Sequence, residues 1–104
     1  MGKMVAESAA RNLTPTVLEL GGKSPCIVDE TADLDIAAKR LCWGAFMNAG
    51  QTCVRPDYLM VHESVAAKLI EKMKGAVIAM YGEKPIDSDC FGRLINARAH
   101  GTQS

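Results

Sequence analysis

The sequence carries no excess charge of either sign: twelve Lys and Arg residues stand against twelve Asp and Glu. A balanced surface lacks the electrostatic footprint of a nucleic-acid or anionic-membrane binder. No apolar run approaches the roughly 20 residues that span a bilayer. The first residues, Met1 to Glu7, place a glutamate where a signal peptide needs an apolar segment, and Ala6 stands where a myristoylation signal requires Ser or Thr. These absences predict a soluble, cytoplasmic protein. Cysteines are few and badly spaced for metal: Cys26, Cys42, Cys53 and Cys90 lie 16, 11 and 37 residues apart, form no C-x-x-C pair, and are joined only by His62 and His100 as further soft ligands. No metal partner is expected. A reducing compartment also disfavours a disulfide framework, so three of the four cysteines are read as small apolar packing residues. Repeats and low-complexity stretches are missing as well.

What is present belongs to a globular protein, with 48% hydrophobic and 23% charged residues in a 104-residue chain that fits one modest domain. Residues 3 to 12 suggest a helix closed by Leu13-Thr14-Pro15, since proline cannot continue it and biases Thr14 toward extended geometry. Thr16 to Leu20 reads as a short strand, Gly21-Gly22 as a turn, and Pro25 to Asp29 as a second strand whose Cys26-Ile27-Val28 centre predicts burial on both faces. Thr31 or Asp33 then caps a long helix, with Leu34, Ala37, Ala38, Leu41, Cys42, Ala45 and Phe46 along one face. Asn48-Ala49-Gly50 ends that helix and places Cys53 in the loop beyond it.

Pro56 to Val61 reads as a third strand, buried if Leu59, Met60 and Val61 all lie inside. Ser64 caps a further helix that runs to about Tyr81, with Val65, Leu69, Ile70, Met73, Val77 and Met80 on one side and Gly82 as its stop. Phe91 to Asn96 is expected to be a loop leading into a short extended piece, and Gly101 to Ser104 a frayed end. The order of elements predicts an α/β fold with some parallel pairing.

Two dense motifs stand out, Leu18-Glu19-Leu20-Gly21-Gly22-Lys23-Ser24-Pro25 and Asn48-Ala49-Gly50-Gln51-Thr52-Cys53, with a 34-residue separation from Glu19 to Cys53. A thiol in a loop after a helix, beside a glycine that lets backbone approach closely, has the makings of a nucleophile with a neighbouring N–H to face an oxyanion. Taken singly, each residue has a plainer reading. A glutamate on a short strand is ordinarily solvated or ion-paired, and a cysteine after a helix ordinarily packs. Gly22-Lys23-Ser24 is not a phosphate loop, because position 17 is Val where the first glycine of G-x-x-x-x-G-K-[ST] belongs and Pro25 starts a strand. Lys23 is therefore read as a structural or surface charge, His62 and His100 as ordinary surface histidines, and the Asn12-Leu13-Thr14 sequon is given no function.

Together, in this order and separation, the two motifs resemble the aldehyde dehydrogenase superfamily. Further matches at Leu13-Thr14-Pro15, Cys53-Val54-Arg55-Pro56-Asp57-Tyr58, Tyr81-Gly82-Glu83 and Gly92-Arg93-Leu94-Ile95-Asn96 resemble its class 3 type, which acts on fatty and aromatic aldehydes. The resemblance implies NAD or NADP as cofactor, an aldehyde substrate, Cys53 as nucleophile and Glu19 as the base that deprotonates the cysteine or the attacking water. It also implies that the Leu20 carbonyl holds the nicotinamide amide, that Gly21 and Gly22 leave the ring room, and that the Cys53 N–H forms half of an oxyanion hole. Two departures from the family stand out. The second residue after the nucleophile is usually small and here is Arg55, which either perturbs the loop or turns outward. Thr16-Val17 is transposed relative to the usual Val-Thr, a swap that changes which face each side chain occupies.

The implied fold is a partial three-layer aldehyde dehydrogenase fold, with residues 1–22 closing a Rossmann-like cofactor domain and residues 23–104 opening the catalytic domain. Family members dimerise and are more than four times as long. Their oxyanion asparagine, most of their cofactor site and their oligomerisation hairpin are not among these residues. The expectation is a catalytic segment that is inactive alone, with strand edges and apolar helix faces uncovered. The alternative is a non-catalytic remnant that pairs those edges with a full-length subunit.

Overall fold

The computed structural model describes residues 1–102. Helix α1 (Gly2–Arg11) is followed by β1 (Ser24–Val28), α2 (Leu34–Phe46), β2 (Pro56–Val61), α3 (Glu63–Tyr81) and the short α4 (Ala97–Thr102). The two strands pair in parallel, Ser24 opposite Pro56 and Val28 opposite Val61. Parallel strands need a crossover connection, and α2 supplies it.

Local chemistry explains most boundaries. Asp33 caps α2, its carboxylate accepting the Asp35 and Ile36 amides at 2.9 and 3.1 Å. Gly82 stops α3 at φ 82°, a conformation open to glycine. The cap of α3 is His62 rather than the expected Ser64. Its Nδ1 faces the Ser64 Oγ at 2.8 Å and accepts from the Ser64 amide.

The core forms where α2 and α3 cover one face of the sheet. Val28, Leu34, Ala38, Leu41 and Leu69 are buried together, with Cys26, Ala37, Val61, Val65 and Met73 packed against them. Of the periodic face expected for α2, Leu34, Ala38, Leu41 and Cys42 are buried, whereas Phe46 at its end is 37% exposed. On α3, however, Ile70 is exposed and Leu69 and Ala76 form the buried line.

Four expectations for the strands and the end of the chain are corrected. Cys26-Ile27-Val28 is buried on one face only, since Val28 is covered while Ile27 is 73% exposed. Met60, paired with Ile27, is likewise exposed because no second layer among the described residues covers the far face of the sheet, and Leu59, on the helix side opposite Cys26, is still 36% exposed. Thr16 to Leu20 is not a strand. It runs without backbone partners among the described residues, and an extended segment becomes a strand only when another pairs with it. Finally, Ala97–Thr102 is helical where an extended piece was expected, begun by the Asn96 side chain accepting the Ala99 amide at 2.9 Å. Of the expected frayed end, Gln103 and Ser104 lie outside the described residues.

Candidate active site

Parallel pairing brings the two motifs to one end of the sheet. Because Ser24 lies opposite Pro56, the segments that feed the two strands, residues 19–23 and 53–55, enter side by side. They are close in fact: a Cβ on Gly22 would stand 3.7 Å from the Cys53 carbonyl oxygen. Lys23 faces Asp57 at 3.7 Å across the same gap, but its side chain is 86% exposed. Of the two roles expected of it, structural or surface charge, the exposure favours the second.

Cys53 lies in a turn closed by the Arg55 amide donating to the Thr52 carbonyl at 3.2 Å. Its thiol is exposed, and its own N–H makes no hydrogen bond among the described residues. The run before it is left-handed, with φ 55°, 54° and 77° at Asn48, Ala49 and Gly50. Two of those residues carry side chains, and such conformations persist only where the surroundings over-determine them. Here the Asn48 and Gln51 side chains bond each other's backbone, Asn48 Nδ2 to the Gln51 carbonyl at 3.2 Å and Gln51 Nε2 to the Asn48 carbonyl at 2.9 Å.

Arg55 neither crowds the thiol nor turns freely into solvent. Its guanidinium donates to Asp57 at 2.6 Å and to the Pro56 carbonyl at 3.4 Å, and its side chain lies along Gly50.

Glu19 stands in the partnerless segment, and its carboxylate is exposed with no ion pair among the described residues. The partly apolar pocket expected around it is not formed among the described residues. Leu18 and Leu20, which were to build it, are 43% and 72% exposed, and the tip of Leu20 reaches back to Gly2 of α1. The Leu20 carbonyl is unbonded among the described residues, and the space beside Gly21, at φ 127°, is open. This edge offers a free hydrogen-bond acceptor beside a position that carries no side chain.

A family model for the aldehyde dehydrogenase family matches residues 1–102. The chain belongs to that family. It is 51% identical over 98 residues to the dimeric NADP-preferring aldehyde dehydrogenase of Canis lupus familiaris, covering 94% of this chain and 22% of that one. It is 55% identical over 93 residues to the 4,4'-diapolycopene-4,4'-dial dehydrogenase of Cytobacillus firmus, covering 89% and 20%. Among solved structures, a substrate-bound state of Staphylococcus aureus AldH superposes with a TM-score of 0.81 at 48% identity, over 93% of this chain and 21% of that one. The chain therefore spans about a fifth of the length of these aldehyde dehydrogenases.

The remaining thiols divide unevenly. Cys42 is fully buried, donates to the Met73 carbonyl at 3.4 Å, and has its thiol pKa pushed up by desolvation. Cys26 is half-buried, but Cys90 is exposed, so two rather than three of the four thiols act as packing residues. The side-chain roles of Gln51 and Asp57 were missed from sequence. Gln51 carried a signal, its place two residues before the cysteine, whereas Asp57 looked like any polar residue in a strand.

Proposed function

We propose that this chain carries the nucleophile and the base of an NAD(P)-dependent oxidation of aldehydes to carboxylic acids, Cys53 and Glu19 respectively. The supporting observation is the approach of Gly22 to the Cys53 carbonyl, which places both family motifs at one end of a parallel strand pair. In this reading Glu19 takes the Cys53 proton and releases it to solvent, and the thiolate adds to the aldehyde carbon, forming a C–S bond and an oxyanion that the free Cys53 N–H faces. Leu20, through its carbonyl, and Gly21, through its open side, would hold the nicotinamide. When bound, the cofactor supplies the hydride acceptor. Loss of hydride leaves a thioester on Cys53. Glu19 then takes a proton from water, the resulting hydroxide attacks the thioester carbon, and the C–S bond breaks to release the acid.

The substrate is an aldehyde on an apolar chain or ring, as the class 3-type motifs and the names of the relatives suggest. A dimer is proposed for the complete protein, on the name of the dimeric relative. The boundary between cofactor and catalytic domains is placed near Gly22, where the unpaired segment gives way to β1. The four free thiols support a cytoplasmic location.

The 104-residue polypeptide alone is proposed to be inactive, because Glu19 lies on an exposed segment with no partner strand. Aldehyde-dependent NADH or NADPH formation by the purified chain would overturn that part. For the roles of the two residues, cysteine-resolved labelling with iodoacetamide is the test. Cys53 should react faster than Cys90, the other exposed thiol, and Glu19→Gln should slow it. Equal rates at the two exposed thiols would count against the assignment.

A second reading is a non-catalytic partner for a full-length subunit. The exposure of Val17, Leu20, Ile27 and Met60, together with the unpaired Thr16–Gly22 backbone, favours it. Co-purification of the chain with a full-length homologue would support this reading, and its absence would remove it.

A further inference from the structure

The turn that holds Cys53 is fastened to a part of the chain some forty residues further on. The Gln51 side chain donates from Nε2 to the Arg93 carbonyl at 3.1 Å and accepts the Ile95 amide on Oε1 at 3.1 Å, while Nε2 also serves the Asn48 carbonyl. A primary amide has two N–H donors, and both are used here, together with the oxygen. At this point the two loops lie backbone against backbone. A Cβ on Gly92 would come within 3.3 Å of the Ala49 nitrogen and 3.4 Å of the Asn48 carbonyl carbon.

The far loop is itself fixed. Arg93 donates to the Phe91 carbonyl at 2.6 Å, and also to the carbonyls of Ile86 and Ser88. Phe91 packs edge-on against Tyr81 at the end of α3, with ring centroids 5.0 Å apart. A continuous path of contacts thus leads from α3 through Phe91 and Arg93 to Gln51, two residues before Cys53.

We infer that Gln51 is a positioning residue for Cys53, one that ties the left-handed Asn48–Gly50 run to the Phe91–Ile95 loop and so fixes where the Cys53 turn stands. The inference rests on the proposed role of Cys53. It adds that the geometry of this turn is set by a loop that touches neither reactive side chain.

The test is hydrogen–deuterium exchange of the full 104-residue chain, read on peptides covering 47–55 and 91–98, with 34–46 as control. Gln51→Met keeps the length of the side chain without its hydrogen bonds. It should speed exchange in both loop peptides by about fivefold, the worth of one ordinary hydrogen bond, and leave the α2 peptide unchanged. Gln51→Glu retains the acceptor for the Ile95 amide and should restore part of the protection at 91–98. Gly92→Ala provides an independent variant, expected to loosen both peptides by forcing the loops apart. Wild-type exchange in both loops of Gln51→Met, or equal acceleration across all three peptides, would overturn the inference. The rank of Cys53 among the labelled thiols bears on the catalytic assignment, whereas these exchange rates bear on Gln51, so either can fail without the other.

Discussion

Asp57 holds Arg55 at 2.6 Å on one carboxylate oxygen and faces Lys23 at 3.7 Å with the other. One half-buried carboxylate in β2 thereby joins the segment that leads from Glu19 to the loop that leads from Cys53. Asp57→Asn leaves the Arg55 guanidinium without its counter-charge. It should cost about 1 kcal/mol in urea unfolding, the upper end for a partly exposed pair. Lys23→Ala, at the longer and more exposed contact, should be close to neutral, and a larger loss there than at Asp57 would reverse the assignment.

Leu69 is the largest side chain at the centre of the packing between α2, α3 and the sheet, only 1% exposed. Leu69→Ala should lower stability by about 2–5 kcal/mol. Ile70→Ala, one residue on and half exposed, should have a much smaller effect. Thermal or denaturant unfolding of the pair separates a buried from an exposed face on one helix.

Asp33→Ala removes the acceptor of two amides at the start of α2 and should cost about 1 kcal/mol, with Asp33→Asn recovering most of it. Circular dichroism melts of the two variants would show whether the cap matters. Equal losses in both would mean that the carboxylate charge, not the hydrogen bonds, is what α2 uses.

Two exposed carboxylates should contribute to a loss of stability in acid. Asp29 is lowered below its ordinary pKa mainly by the Thr31 side-chain and backbone donors, and Asp35 by Lys72. A carboxylate held lower in the folded chain than in the unfolded one stabilises above its unfolded value and loses that contribution as pH falls through the folded value. Stability should therefore decline below about pH 4. Asp35→Asn combined with Thr31→Val should flatten the decline, and an unchanged acid limb would exclude both residues as its source.

Cys42 gives the opposite limb. Its pKa is raised by burial, so the unfolded thiol ionises first and the folded state loses stability as pH climbs through and beyond the ordinary thiol range. Cys42→Ala should remove that alkaline loss. In the native chain Cys42 should be the slowest of the four thiols to alkylate, and becoming as fast as Cys90 only in denaturant is the expected result.

Where local chemistry decides, the sequence was readable: Asp33 as a cap, Gly82 as a stop, and the Leu34–Ala38–Leu41–Cys42 stripe each follow from neighbours in the chain. The family and the two motifs were readable for the same reason, being contiguous strings. What was not readable depends on absent or distant partners. Thr16 to Leu20 has β-forming residues, yet among the described residues it pairs with nothing, and Ile27 has the character of a core residue but no layer above it there. Gln51 meets Arg93 and Ile95 across more than forty residues, and nothing in the local pattern of either segment announces the other.

The Ser24–Pro56 register has a consequence for how this site tolerates change. The chain distance between Glu19 and Cys53 is mostly the β1–α2 crossover, a detour that returns to where it began. Lengthening that detour by a turn of helix or an extra loop residue would leave the two side chains where they are, provided the strands keep their alignment. Sliding β2 by two residues along β1 would preserve every facing and still carry Cys53 about 7 Å from its place beside Gly22. The spacing between the two motifs is thus written in the hydrogen-bond ladder and not in the residue count.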